Sequence, residues 1–211
     1  MGKKSAHTAG HIHRMVRLSV MIAKKIDDDE GIYKEKRYTE EEIKQINFAA
    51  LMHDIGKLTT PEQVVDKSRK LETIFDRIEL VETRVHLIQT ALELSLCKNE
   101  ITQEYFESEI SILNEDLSFM KNTNIGSEFL PDSDVQRVHD IQNREYNLNG
   151  KKYIILTENE AYNLSVQRGT ITKEERDIIN NHAKVSVDIL NKLPFPKKYA
   201  AIPEISGNHH E

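Results

Sequence analysis

Residues 51–60 of the chain, LMHDIGKLTT, place His53 and Asp54 side by side at the end of an apolar run. Carrying a histidine and a carboxylate into a protein core costs free energy unless a partner there satisfies them. The residues leading to the pair, TEEEIKQINFAALMHD (39–54), predict a helix that opens with a capping box of Thr39 and Glu42. The pair therefore comes at the end of a helix whose start is clearly marked.

The apolar stripe of this helix indicates where the pair points. The stripe consists of Ile43, Ile46 and Ala50. His53 and Asp54 take the next positions on the same stripe, so we expect both side chains to lie on the buried face. Gly56 is the residue type that commonly ends a helix, and it predicts the end of this one.

A second group of histidines lies near the start of the chain. A helix is predicted from about Ser5 to Ile26, and one side of it carries His7, His11, Leu18 and Ile22. His13 points to a different face, and we expect it to be solvated, together with His86 and His139 from the middle of the chain.

Histidines return near the other end of the sequence. The stretch TKEERDIINNHAKVSVDILNKL (172–193) predicts one helix, opened by a capping box of Thr172 and Glu175. Its apolar stripe consists of Ile178, Val185, Ile189 and Leu193, and His182 fills the gap in that stripe. Pro203 predicts a further helix start, shortly before His209 and His210.

One histidine on an apolar face is usually a hydrogen-bonded core residue, but this set is too large for that explanation alone. The candidates that face inward are His11, His53, Asp54, His182, His209 and His210. Imidazole nitrogens with a carboxylate oxygen suit iron, manganese, zinc or nickel, and an aspartate can bridge two such ions. The sequence has a single cysteine, Cys97, which argues against a structural zinc site built from thiolates.

The composition narrows the class of protein. The chain has 211 residues and a net charge of −6, with no basic stripe, so we expect no duplex nucleic acid partner. No apolar run reaches membrane-spanning length and the start lacks a signal peptide, which predicts no membrane contact and a cytoplasmic location. With 30% charged residues and few glycines and prolines, the predicted fold class is all-α.

The middle of the chain has a different pattern. Apolar residues at heptad spacing over Leu71–Leu92 and Phe106–Met120 predict two long helices that fold back on each other. The stretch YNLNGKKYIILT (146–157) predicts a β-hairpin that turns at Asn149-Gly150. We therefore expect residues 71–168 to be an inserted helical arm with a β-hairpin, and a homodimer to form through that arm. Residues 1–70 and 169–211 would form the metal-binding core.

Five motifs in order carry a resemblance to a known family. They are HTAGHIHRMV (7–16), HDIGK (53–57) followed by Pro61, GTITKEERDIINNHAKVSVDIL (169–190), LPFPKKY (193–199) and PEISGNHHE (203–211). Together they resemble the HD-GYP branch of the HD-domain metal-dependent phosphohydrolases, over residues 1–70 and 169–211.

The resemblance implies an HD-domain helical bundle with a centre of two or three metal ions, usually iron or manganese. It implies hydrolysis of the bacterial second messenger cyclic di-GMP, with metal ligands at His11, His53, Asp54, His182, His209 and His210. Asp54 would bridge two ions, and Lys57 would contact the phosphate.

The sequence departs from the family pattern at three places. His7 stands where three-metal members have a glutamate, so we expect two ions, with His7 as an additional ligand or a partner of one. Residues 71–168 are an insertion. The sequence ends before the GYP segment and a later aspartate ligand, so we expect a C-terminal truncation and slow hydrolysis or none. Family members also commonly follow a sensor or receiver domain.

Two alternatives to cyclic di-GMP hydrolysis stay open. In the first, the chain is a catalytically weak or inactive HD-GYP module that signals by binding a partner. In the second, it is an HD phosphohydrolase that acts on another nucleotide.

Overall fold

Helices make up most of the structure, and the predicted all-α fold class is confirmed. The computed structural model describes the backbone of residues 6–210 and the side chains of residues 10–209. Its α-helices are α1 (Ala6–Asp27), α2 (Glu40–Met52), α3 (Glu62–Val65), α4 (Ile78–Cys97), α5 (Gln103–Asn124), α6 (Asp132–Asn143), α7 (Glu158–Leu164), α8 (Lys173–Asn180), α9 (His182–Leu190) and α10 (Ile202–Gly207). The strands β1 (Glu145–Leu148) and β2 (Lys151–Ile154) pair antiparallel.

The described residues form two compact units. The first contains the chain up to Pro61 and from Asp177 onward, and the second contains Glu62–Arg176. The domain division predicted from the sequence, with residues 71–168 as an insertion, stays a prediction. Among the described residues, no helix combines the length and the apolar composition that crossing a bilayer requires.

The first unit is assembled from α1, α2, α9 and α10. Helix α2 packs against α1 and α10, and α10 also packs against α9. Thr39 caps α2 as predicted, because its hydroxyl accepts a hydrogen bond from the Glu42 backbone while the Glu42 carboxylate accepts one from the Thr39 backbone. Pro203 lies in the first turn of α10, where its missing N–H costs no helical hydrogen bond.

Two sequence expectations for the first unit are wrong. Helix α2 already ends at Met52, so Gly56 is not its terminating residue. The predicted helix over 172–193 breaks at Asn181, which separates α8 from α9, so Ile178 and Leu193 do not continue one buried stripe and both are exposed.

The second unit has an apolar core of its own. Helices α4 and α5 pack against each other as predicted, and the β-hairpin turns at Asn149 and Gly150, both with positive φ. Core side chains include Val85 and Leu92 of α4 and Leu113 of α5. The predicted homodimer stays a prediction.

Helix α4 begins seven residues later than the heptad pattern predicted, at Ile78 instead of Leu71. The backbone before it turns at a bridge between Glu72 and Asp76, and Arg77 donates from both its backbone and its guanidinium to the Leu71 carbonyl. Ile74, which the pattern placed on the buried stripe, is therefore 92% exposed.

A fully buried lysine in this unit leads to a testable pH dependence. Lys70 donates from Nζ to the Leu164 carbonyl oxygen at 2.9 Å, and burial lowers its pKa from 10.5 to about 8. Between these pKa values the unfolded chain binds more protons than the folded one, so stability rises with pH from about 8 towards 10.5. The free energy of unfolding gains on the order of 3 kcal/mol in total from this titration. Below the pKa of the folded state, the cost of burying the Lys70 ammonium does not change with pH.

Urea unfolding followed by circular dichroism between pH 8 and 10 measures this slope. Lys70→Met removes the titrating group, so the variant should lose the part of the slope that Lys70 contributes. Equal slopes in the two proteins would show that Lys70 is not penalised by burial.

Candidate metal centre

Asp54 lies in the turn that joins α2 to the rest of the first unit. His53 caps the end of α2, and Asp54 precedes a short 3-10 helix, Ile55–Thr59, that packs against α9. The close packing depends on Gly56, whose backbone N–H donates to the Ser186 hydroxyl at 2.8 Å. As a result the Asp54 carboxylate is held in the interior, with only 2% of the residue exposed.

The two carboxylate oxygens of Asp54 face different histidines. Oδ2 lies 3.2 Å from His53 Nε2, whereas Oδ1 lies 3.2 Å from His182 Nε2 and 4.0 Å from His209 Nε2. His11 approaches from α1, with its ring centroid 5.9 Å from that of His53. Asp54 therefore stands between two groups of imidazoles.

The backbone sets the orientation of three of these rings. Nδ1 of His53, His182 and His209 contacts the carbonyl oxygen three residues earlier in each case, on Ala50, Ile179 and Ser206. A carbonyl oxygen can only accept, so the proton of each neutral ring lies on Nδ1 and the lone pair lies on Nε2. This is the arrangement by which proteins orient histidines as metal ligands.

The donor atoms fall into two groups that share Asp54. Ligand atoms of His11, His53 and Asp54 lie within 4.8 Å of one another, and so do those of Asp54, His182 and His209. Nε2 of His182 and Nε2 of His209 are 3.2 Å apart. Adjacent ligands on a transition metal with bonds of about 2.1 Å lie about 3.0–3.4 Å apart, so the side chains present fit such an ion.

The electrostatics of the cluster prepare Asp54 to bind cations. Burial alone raises the pKa of Asp54, but hydrogen bonds from His53 and Lys57 outweigh it and hold that pKa far below its usual range. The hydrogen bond to Asp54 raises the pKa of His53, while burial lowers the pKa of His209. A metal and a proton therefore compete for His53 Nε2, so metal binding weakens as the pH falls.

A cavity of about 320 Å³ opens beside the cluster. Its polar wall includes His11, His53, Asp54, Lys57 and His209, and its apolar wall includes Met15, Ile46, Ala49 and Ile205. Lys57 donates from Nζ to Asp54 Oδ2 at 2.8 Å, and its side chain is 30% exposed. The ammonium is thus accessible to an anion that enters the cavity.

The structure brings most of the predicted site residues together. His11, His53, Asp54, Lys57, His182 and His209 meet at one place, while the side chains of His7 and His210 lie outside the described residues. His13, His86 and His139 are exposed, as expected.

Sequence reasoning missed residues that hold the site in shape. Ser186 and Ser206 are both buried. The Ser186 hydroxyl accepts a hydrogen bond from the Gly56 N–H, and the Ser206 hydroxyl donates one to the Ala49 carbonyl oxygen. The one sequence signal that points to these two serines is a small polar residue on an otherwise apolar helix stripe.

The centre has a counterpart among known families. A family model described as an HD domain matches residues 8–127, more than half of the chain, and a second HD-domain model matches residues 157–211. Comparison with curated proteins and with solved structures finds no match. The chain therefore belongs to the HD-domain family, whose members are generally metal-dependent phosphohydrolases.

Proposed function

We propose that the chain is a phosphodiesterase with two metal ions and that its substrate is cyclic di-GMP. The observation that carries the two-ion centre is the position of Asp54, whose two oxygens face two different histidine groups. The order of the five motifs, which resembles that of the HD-GYP branch, supports the choice of substrate.

Each ion would have its own set of ligands. His11 and His53 would hold one, His182 and His209 the other, and Asp54 would bridge them. His210 is proposed as a further ligand and His7 as an additional one. The donor set of imidazoles and one carboxylate suits iron or manganese, with zinc or nickel also compatible.

Bound ions would supply Lewis acidity and an activated water for attack on phosphorus. Lys57 would place its ammonium against a phosphoryl oxygen and offset the negative charge that grows there during attack. The apolar wall of the cavity, including Met15 and Ile46, would exclude bulk water from the phosphodiester.

The experiment is a turnover assay of the purified chain with cyclic di-GMP, under anaerobic conditions, with manganese or iron(II). We expect the chain to form the linear dinucleotide product slowly. Lys57→Gln should reduce kcat by about 10²-fold while leaving the metal content intact, because Lys57 acts on the substrate. Lys44→Gln is the matched control, since Lys44 is an exposed lysine of α2 that forms an ion pair with Glu41 at the surface.

Two results would contradict the proposed substrate. If the chain hydrolyses another nucleotide and leaves cyclic di-GMP intact, it is an HD phosphohydrolase of different specificity. If it holds metal but hydrolyses neither cyclic di-GMP nor any other nucleotide tested, the chain is an inactive signalling module.

A further inference from the structure

The second unit contains a cavity of about 560 Å³ that shares no residue with the metal centre. It is lined by Phe129, Tyr162, Ser165, Val166, Gln167, Arg168, Ile171, Lys173 and Arg176. Three of these side chains are cationic and none is a carboxylate. The unit as a whole, Glu62–Arg176, has 22 acidic and 14 basic residues, so the charge of the cavity is opposite to that of its surroundings.

The three cations lie near carboxylates but form no ion pair with them. Arg168, Lys173 and Arg176 are exposed, and within residues 10–209 none of their side chains forms an ion pair or a hydrogen bond. The nearby carboxylates have other partners, and Asp132 Oδ1 accepts a hydrogen bond from the lining residue Gln167 at 2.6 Å. Glu174 accepts the Tyr162 hydroxyl at 2.7 Å, and Glu175 binds the Lys67 ammonium at 2.8 Å.

The loop that carries Arg168 is held in place by two backbone hydrogen bonds. Leu130 N–H donates to the Gln167 carbonyl at 2.8 Å, and Gly169 N–H donates to the Ser127 carbonyl at 3.0 Å. Gly169 has a φ of 71°, a conformation that favours glycine. A cationic loop fixed in this way loses little conformational freedom when it binds an anion.

The cavity also offers aromatic surface and an unused hydroxyl. The Phe129 ring is 58% exposed, although an apolar ring of this size normally gains free energy by burial. Ser165 Oγ is buried and has no hydrogen-bond partner among the described residues, an arrangement that costs free energy. Cations with an aromatic face are the combination that recognises a phosphorylated planar ring.

We propose that this cavity binds a nucleotide. The phosphates contact Arg168, Lys173 and Arg176, and the base stacks on Phe129. Because the lining residues belong to the second unit alone, binding there does not require the metal centre. The inference therefore stands independently of the proposed phosphodiesterase activity.

Calorimetric titration of the full chain tests this site, in chelator so that metal does not contribute. The probes are GTP, inorganic phosphate and the uncharged nucleoside guanosine. We expect saturable GTP binding that weakens about tenfold or more in the Arg168→Gln/Arg176→Gln double variant, because two charged contacts are lost. Phe129→Ala should weaken the affinity for GTP about five- to tenfold and leave the affinity for phosphate unchanged, since only the nucleotide has a ring to stack.

Two controls distinguish this site from other anion binding. Lys57→Gln alters the metal-centre cavity and Lys151→Gln removes an exposed charge from the β-hairpin, and neither should change GTP affinity. No saturable binding up to about 1 mM GTP would overturn the proposal. So would GTP binding that the double variant retains and Lys57→Gln abolishes. Equal binding of phosphate and GTP, unaffected by Phe129→Ala, would overturn the assignment to nucleotides.

Discussion

Asp54→Asn is expected to empty both proposed metal positions, reducing the metal content from about two ions per chain to nearly none. The reason is the position of the carboxylate, which has one oxygen towards His53 and the other towards His182. An amide of the same shape cannot bridge two cations in this way. Elemental analysis of protein purified without chelators, with manganese or iron(II) supplied, gives the stoichiometry.

Single histidine variants sharpen this prediction. His11→Ala should remove the ion of its own group and spare the other, and His209→Ala should do the reverse, since each belongs to one group only. Asp188→Ala is the matched control, because Asp188 is an exposed acid on α9 that belongs to neither group. Circular dichroism confirms that each variant is folded. A full equivalent of metal retained by folded Asp54→Asn would contradict the bridging role.

Gly56→Ala is expected to destabilise the first unit strongly. A Cβ atom at this position would lie 2.1 Å from the His182 carbonyl oxygen and 2.8 Å from the Ser186 backbone nitrogen. Both neighbours are backbone atoms, so relief requires α9 to move away from the 3-10 helix. We expect a loss of about 3 kcal/mol or more in the free energy of unfolding.

The same substitution should weaken metal binding, because α9 carries His182. Urea unfolding and metal analysis on the same preparation measure both effects. Gly31→Ala serves as the control, since the added Cβ would come no closer than 3.4 Å to a neighbour, the half-buried Asp29 side chain. Unchanged stability and metal content in Gly56→Ala would show that α9 does not pack as closely as the structure indicates.

The sequence predicted features that depend on neighbours along one helix. The capping boxes at Thr39 and Thr172 and the helix start at Pro203 need only residues within one turn, and the structure contains all of them. His53 and His182 are buried as predicted, although the stripe that predicted His182 breaks at Asn181 and its members Ile178 and Leu193 are exposed. Local spacing was enough for the capping boxes and the helix start, because each of these features is local.

Features that depend on contacts between elements were not predicted. The role of Gly56 follows from its approach to α9, 130 residues away, and no spacing in the sequence reports such a contact. The break at Asn181 and the late start of α4 were also missed. In both places the apolar spacing continues through residues whose backbone is not helical, so the spacing alone does not mark the helix end. Ile74 shows the consequence, since its position fits the heptad pattern and yet its side chain is exposed.

Anomalous X-ray diffraction at the absorption edge of the bound metal shows whether two ions share Asp54. A crystal of the manganese- or iron-loaded chain should show two anomalous peaks, one on the side of His11 and His53 and the other on the side of His182 and His209, with Asp54 touching both. A single peak, or two peaks of which one lacks contact with Asp54, would contradict the proposed sharing of Asp54.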